Sequence, residues 1–305
     1  MGKGLNILFM GTGDIAIPSF EALLGSRHEV IGLVTQPDKP VGRKLLLTPP
    51  KIKEVAEDKG IPVYQPEKAK SKVFIDSVEA MAPDIIVVMA YGQILTSRLI
   101  ASPKTAIINV HASLLPLYRG ASCIQGPIAD GHVKTGVTIM HVVKELDAGD
   151  IIIQRETPIS AVDTGGSVHD RLAMMGPEAL LEAVDNLESG TAERIPQDDE
   201  VSTYVPKLFR NDGLLDFSKF TAEELERKIR AYHPWPGTYF TFKDKKGKEK
   251  RLKVFPPTEI SEEVGEGLAK KCLDNKYLLI QSVQPEGSRR MTAEEFLKGN
   301  PMFSE

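Results

Sequence analysis

Residues 107–120 read Ile-Ile-Asn-Val-His-Ala-Ser-Leu-Leu-Pro-Leu-Tyr-Arg-Gly. With Ala106 they open as a short strand, apolar and rich in β-branched residues, whose apolar run stops at Asn109. Successive side chains alternate across a strand, so Asn109 and His111 leave its end on one face and share one pocket. The turn Ser113-Leu114-Leu115-Pro116 and the pair Arg119-Gly120 follow. Beyond a second β-like run, Gly136 to Val143, the sequence Glu145-Leu146-Asp147-Ala148-Gly149-Asp150 puts Asp147 in a loop. Amide, imidazole and carboxylate together suit acyl-type transfer. The amide donates to a carbonyl oxygen as it gains charge, the imidazole binds that oxygen or moves protons, and the carboxylate orients the ring and accepts a proton from an incoming amine. On spacing alone, the same residues serve equally as turn formers with satisfied hydrogen bonds.

Outward from this stretch, strand and helix patterns alternate. Pro83 to Ala90 is a continuous apolar run of the kind found inside a parallel sheet. Asn6 to Met10 reads as a first buried strand, Glu29 to Thr35 as a second and Ile61 to Tyr64 as a short third. Helices are expected over Val73–Met81 and Ser167–Leu187. After the first strand, Gly11-Thr12-Gly13-Asp14-Ile15-Ala16 has the form of a dinucleotide-binding turn. Pro18 falls in its first helical turn, and Asp38 lies in a loop instead of at the tip of the second strand. The turn is therefore read as tight packing that needs small residues. A nicotinamide-dependent oxidoreductase remains the rival from another class.

The 305 residues suffice for two domains; 41% are hydrophobic and 26% charged, the composition of an ordinary soluble enzyme. No apolar run is long enough to cross a bilayer, and the start of the chain has no signal-peptide layout, so a cytoplasmic protein is expected. Cys123 and Cys272 have no metal-type spacing and are expected as free thiols. His28, His132, His141, His169 and His233 have no ligand-spaced partners either, so no metal is expected. Net charge is −4, but unevenly spread: residues 1–206 hold 19 basic and 26 acidic side chains, residues 207–305 hold 19 and 16. A polyanion should therefore sit on the C-terminal third or on a local basic loop. Such a loop exists. From Lys39 to Lys53 the charged residues are Lys39, Arg43, Lys44, Lys51 and Lys53, with no acid. Prolines and Gly42 lead to the expectation of a mobile, irregular loop ahead of a helix starting near Pro50.

The segment 190–207 is polar and proline-bearing, the composition of a linker. Beyond it, a helix over Thr221–Tyr232 and several short strands with turn signals fit a small β-barrel. Trp235, between two prolines, is expected to anchor that domain's core.

Asn109-Val110-His111-Ala112-Ser113-Leu114-Leu115-Pro116, with Leu146 to Asp150, resembles the signature of the 10-formyltetrahydrofolate-dependent formyltransferases. The resemblance implies that Asn109, His111 and Asp147 are the catalytic set. It implies that Ser113, Leu114, Leu115 and Pro116 line the folate site, and that Gln93, Ile94 and Leu95 give backbone contacts to the pterin ring. The Lys39–Lys53 run resembles the insertion loop that the methionyl-tRNA formyltransferases of this family press on the acceptor stem of initiator tRNA. Arg43 stands at that loop's main contact, with Lys39 and Lys44 beside it. The runs Asp216 to Gly237 and Gln284 to Phe296 resemble the C-terminal domain of the same branch, whereas Ala121 to Gln125 departs from its usual Ala-Ala-Pro-Ile run.

The architecture implied is a Rossmann-like α/β domain over 1–189 with a mostly parallel sheet and helices on both faces. A linker over 190–207 and an OB-like barrel over 208–305 complete it. The implied reaction moves the formyl group of 10-formyltetrahydrofolate, a co-substrate and not a bound cofactor, to the α-amine of methionine on charged initiator tRNA. A monomer is expected. An amino-sugar-nucleotide formyltransferase is one rival within the reaction class, disfavoured by the basic loop and by the Pro285 to Phe296 block. Glycinamide ribonucleotide formyltransferase is another, disfavoured because it lacks a C-terminal barrel, and a non-catalytic folate or RNA sensor is a rival of another class.

Overall fold

A run of β-branched and aliphatic residues that alternates between two apolar faces can be buried only between two layers of helices. The N-terminal part of the computed structural model, which describes residues 4–42, 44–244, 247–265 and 267–300, is built this way. Strands β1 (Asn6–Gly11), β2 (Glu29–Val34), β5 (Val63–Tyr64), β6 (Ile85–Met89) and β7 (Ala106–His111) pair in parallel. The sheet order is β10-β9-β7-β6-β1-β2-β5, with β9 (Lys134–His141) antiparallel to β7 and β10 (Ile151–Pro158) at the edge. Leu8 and Met10 of β1 face a core with Phe74, Ile75 and Val78 of α3 (Lys72–Met81) and Leu99 of α4 (Ser97–Ile100). Phe9 faces the other way, its ring centroid 5.2 Å from that of Phe20 on α1 (Ile17–Leu24). On that second side α6 (Gly165–Ser189) lies so near that a side chain at Gly176 would meet Ser19, Met89 and Val110.

The turn after β1 is a packing device. A Cβ on Gly11 would sit 2.7 Å from the Phe9 ring and 3.1 Å from the Met89 carbonyl. A short 3-10 turn, Asp14–Ala16, then precedes α1, so no helix N-terminus opens directly on the glycines.

The basic run differs from the irregular loop expected. Strands β3 (Lys39–Val41) and β4 (Leu46–Thr48) form an antiparallel hairpin ahead of α2 (Lys51–Asp58). Pro40 lies in a two-stranded pairing, both of whose strands are edges, where proline is tolerated, and Gly42 turns the chain at φ +74°. The hairpin's root is tied down: Lys53 Nζ donates to both Asp38 oxygens (3.1 and 3.0 Å) and to Gln65, and the Gln65 amide donates to Asp38. Those two donors, Gln65 first, hold the Asp38 carboxyl below its usual range.

Two compact units emerge. The first runs to Gly120 and takes in Gly136–Thr157 and His169–Tyr204. The second runs from Val205 onward and takes in Ala121–Thr135 and Pro158–Val168, segments the sequence reading counted with the first domain. They join the second unit through bonds such as Arg227 Nε to the Ala129 carbonyl and Gly166 N–H to the His233 carbonyl. Most of 190–207 is no free linker. It is hydrogen-bonded along the first unit, where Ile195 and Ile151 exchange backbone bonds and Thr203 bonds to 116–119.

In the second unit the antiparallel strands Thr238–Lys243, Glu249–Ser261, Tyr277–Pro285 and Leu268–Lys271 pair in that order, with Met291–Thr292 added to Tyr277–Pro285. The long Glu249–Ser261 strand shifts register between Phe255 and Thr258, across Pro256-Pro257, and so pairs along both of its halves with one neighbour. Leu225 and Ile229 of the helix Ala222–Ala231, which starts on a Thr221/Glu224 capping box, fill its core with Leu252, Leu278 and Phe296. Trp235 is not the anchor expected. It is 51% exposed, because the flanking Pro234 and Pro236 hold it in a tight turn instead of on a strand face. The lysine-rich turn of the Thr238–Lys243/Glu249–Ser261 hairpin includes 245–246, outside the described residues.

Candidate active site

Strands β6 and β7 are parallel neighbours, with Val88 opposite Asn109, so the loop after β6 and the end of β7 meet at one edge of the sheet. Crevices at the carboxyl ends of such strands are where ligands bind in open α/β sheets. Asn109 stands opposite Met140, and His111 opposite Thr138, on β9. The Asn109 side chain is half-buried, and its amide bonds to no other described residue. Two donor hydrogens and an acceptor are thus left for a ligand.

His111 is 6% exposed. Its Nε2 lies 3.1 Å from the carbonyl oxygen of Tyr118, which can only accept, so Nε2 carries a proton. Nδ1 lies 3.8 Å from Asp147 Oδ2. The structure therefore brings His111 and Asp147 together, but a backbone carbonyl sets the ring, where the sequence reading gave that task to the carboxylate. The carbonyl is aimed by an unusual backbone. Tyr118 has φ +61°, and its N–H donates to Thr203 Oγ1 at 2.8 Å. For a bulky side chain such a conformation costs about 1–3 kcal/mol and persists only when its surroundings hold it.

Asp147 sits on the loop after β9, itself left-handed at φ +51°, with a side chain 12% exposed. Its Oδ2 accepts the Gly120 N–H at 2.8 Å. The loop folds tightly under Gly149, where a Cβ would lie 1.8 Å from the His141 carbonyl oxygen. Gln197 spans the loop, its Nε2 donating to the carbonyls of Asp147 and Gly149, both at 2.8 Å. Sequence reasoning missed Tyr118, Gly120, Gln197 and Thr203. The first two act through backbone atoms, and the last two lie in a polar stretch whose composition reads as linker.

Of the other site residues expected, Gln93 turns its side chain away. It accepts the Ala69 N–H and donates to the Pro66 carbonyl, which leaves its backbone in the loop. Ile94 is 88% exposed, and Leu95 packs into the core below. Ser113 is fully buried, its hydroxyl donating to the Leu117 carbonyl, and Leu115 is buried with Met140 and Ile151. Leu114 and Pro116 are partly exposed. Lys39 and Lys44 are exposed on the hairpin, and Arg43 lies outside the described residues. Thr12 Oγ1 and Gln36 Nε2 both donate to the Tyr91 carbonyl, linking the hairpin's root to the loop after β6.

Of the histidines expected to be structural, His141 is buried, and that burial, with Arg194 nearby, pushes its pKa down. His28, Asp185 and Glu188 could geometrically surround a metal among the described residues. Arg27 already donates to both carboxylates, and His28 Nδ1 accepts the Leu5 N–H, which leaves Nε2 protonated towards Asp185. This is an ion-pair network. Both cysteines are free, and among the described residues no helix is long and apolar enough to cross a membrane.

Comparison with known proteins gives these residues a context. Residues 5–184 match the family model "Formyl transferase", and residues 207–301 match "Formyl transferase, C-terminal domain". A relative from Akkermansia muciniphila named methionyl-tRNA formyltransferase is 47% identical over 309 residues, covering 97% of this chain and 97% of its own. One of the same name from Bacillus subtilis is 43% identical over 300 residues, covering 96% and 94%. Among solved structures, HypX from Aquifex aeolicus in complex with tetrahydrofolic acid superposes with a TM-score of 0.64 at 17% identity over 97% of this chain, which spans 47% of HypX. An N-formyltransferase from Helicobacter canadensis, in complex with folinic acid and dTDP-3-aminofucose, gives 0.65 at 20% identity over 91% of this chain and 99% of its own. Those two likenesses show the shared fold. The chain belongs to the formyl transferase family.

Proposed function

We propose that this formyltransferase carries the formyl group of 10-formyltetrahydrofolate to the α-amine of methionine esterified to initiator tRNA. The observation that supports the reading is the 3.8 Å approach of His111 and Asp147, with Asn109 two residues back along β7, in a chain matched over 97% of its length by a relative named for that reaction.

The folate is a co-substrate that supplies an electrophilic formyl carbon. The pterin ring is assigned to the backbone of Gly92 to Leu95, beside the exposed Ile94, on the loop after the strand that pairs with the strand of Asn109. Leu114 and Pro116 offer a second apolar wall, with Ser113 and Leu115 holding that turn from inside. As the amine attacks, the formyl oxygen gains negative charge. The unbonded Asn109 amide donates to it in a half-buried setting, where a preorganised donor is worth more than in water. His111, its ring held through Nε2 on the Tyr118 carbonyl, exchanges a proton at Nδ1, where the Asp147 carboxylate 3.8 Å away stabilises the charged ring. The amine's proton thus leaves through Asp147 or His111 and is returned to the departing folate nitrogen.

The tRNA is assigned to Lys39 and Lys44 on the hairpin, to Arg43 of the same basic run, and to the C-terminal unit, whose residues 207–305 carry a basic excess. The cell compartment is the cytoplasm, where charged initiator tRNA is used. Formyl transfer from 10-formyltetrahydrofolate to charged initiator tRNA, beside charged elongator tRNA and an amino-sugar nucleotide, tests the reading. Product with the initiator species alone supports it, and product with the sugar alone overturns it.

A further inference from the structure

Arg119 is the largest fully buried side chain among the described residues, 1% exposed, and it lies between the two residues whose backbones hold the catalytic pair. The carbonyl before it, of Tyr118, fixes His111, and the N–H after it, of Gly120, fixes Asp147. Its guanidinium reaches into the segment read as linker. Nε and Nη2 both donate to Gln197 Oε1 (3.0 and 2.9 Å), Nη1 donates to the Tyr204 hydroxyl at 3.0 Å, and Nη2 donates to Asp199 at 2.7 Å. A guanidinium only donates and the two loop carbonyls only accept, so the orientation of the Gln197 amide is fixed from both ends. Both amide hydrogens are then spent on the carbonyls of Asp147 and Gly149, which flank the left-handed turn that presents the Asp147 carboxylate.

We propose that Gln197, locked by the buried Arg119, is a positioning residue for formyl transfer: it holds the Asp147 loop in the backbone conformation that points the carboxylate at His111. The inference rests on the assignment of Asp147 to the reaction. It gives a stretch of apparent linker a part in turnover. Without the clamp, Asp147 keeps its Gly120 bond but loses the restraint on its own carbonyl, and the loop relaxes away from φ +51°, a region that aspartate tolerates but does not prefer. Because Gln197 touches neither donor nor acceptor in this account, its removal should act on kcat and leave folate binding in place.

The test uses the full chain carrying Gln197→Glu, which keeps an acceptor for Arg119 but has no hydrogens for the two carbonyls, and Gln197→Ala as a second variant without added charge. Each is made alone and in an Asp147→Asn background. The expected result is a loss in kcat of about 10- to 100-fold, the scale of an ångström-sized misplacement. The KM for 10-formyltetrahydrofolate should stay within about twofold, with an unchanged unfolding midpoint for at least one variant. In the Asp147→Asn background the same substitutions should cost no more than about twofold further, since residues that act through one another are not additive. A full, multiplicative loss in that background, or a wild-type kcat for both single variants, overturns the proposal. If Asp147→Asn alone turns over at the wild-type rate, the assignment of Asp147 fails instead, and that result is distinct from either of the others.

Discussion

His111 Nδ1 stands 3.8 Å from Asp147 Oδ2, although 35 residues of chain, including all of β9, lie between these two side chains. The distance is set from outside the pair, by the Tyr118 carbonyl on one ring nitrogen and the Gly120 N–H on the carboxylate. The pair is therefore poised before substrate arrives, and a proton that lands on Nδ1 finds a counter-ion already in place.

Thr203→Val removes the acceptor for the Tyr118 N–H, and with it a support of the strained φ that aims the carbonyl at His111. Turnover should fall by about tenfold through misplacement of the ring, with little change in the KM for either substrate. Steady-state kinetics check this, and a loss confined to KM would place Thr203 outside the support of His111.

The hairpin should act on tRNA and not on folate. Arg43→Ala and Lys44→Ala, in the acid-free basic run, are expected to raise the KM for charged tRNA and flatten its dependence on salt concentration, by about one unit of log–log slope per lost phosphate contact. The KM for 10-formyltetrahydrofolate should stay unchanged. Equal weakening of both would mean that the hairpin supports the loop after β6, to which it is joined through Gln36 and Tyr91.

Burial holds His141 neutral, its pKa lowered in the folded chain. The sign follows from linkage. The unfolded chain takes up this proton from about pH 6.5 downward and the folded chain resists it, so the contribution to stability is present above that pH and is lost as pH falls. Thermal unfolding between pH 7.5 and 5 should show a decline that is shallower in His141→Gln. An identical slope in both would remove His141 from the acid response.

Phe296 fills the core of the second unit, 2% exposed, with its ring 5.6 Å from that of Phe242. Phe296→Ala should destabilise that unit by about 3–5 kcal/mol, the usual range for such a truncation. Denaturant unfolding measures this, and a cost below about 1 kcal/mol would show that the site collapses around the gap.

Cys272 is buried, and burial pushes its thiol up to about 11. Cys123 is partly exposed. One thiol per chain should therefore react quickly with a disulfide reagent at neutral pH and the other only on unfolding. Two fast thiols would contradict the packing around Cys272.

The sheet was legible because its strands are the long apolar runs, and periodicity reports burial directly. Asn109 and His111 were placed on one face by alternation alone. Asp147 was a candidate from its loop, but only the resemblance joined it to the pair, since nothing local tells a carboxylate in an Ala-Gly turn that it faces an imidazole 36 residues back. Two readings failed for physical reasons, and a third segment is more firmly held than its composition suggests. The basic hairpin was missed because proline at an edge position is compatible with a two-stranded pairing. Trp235 was placed in the core by its size, whereas its proline neighbours keep it at the surface. The segment 190–207 resembled a linker because its bonds to the first unit run through backbone, amide and hydroxyl groups, which leave no hydrophobic pattern.

The most direct test is the single-turnover rate of N-formylmethionyl-tRNA formation from 10-formyltetrahydrofolate and charged initiator tRNA. It should be measured for the wild-type chain and for Asn109→Ala, His111→Ala and Asp147→Asn, with each variant's unfolding midpoint recorded alongside. The account predicts product with the wild type and rates lower by about 100-fold or more in each folded variant. No product from the wild type, or near-normal rates in folded variants, would contradict it.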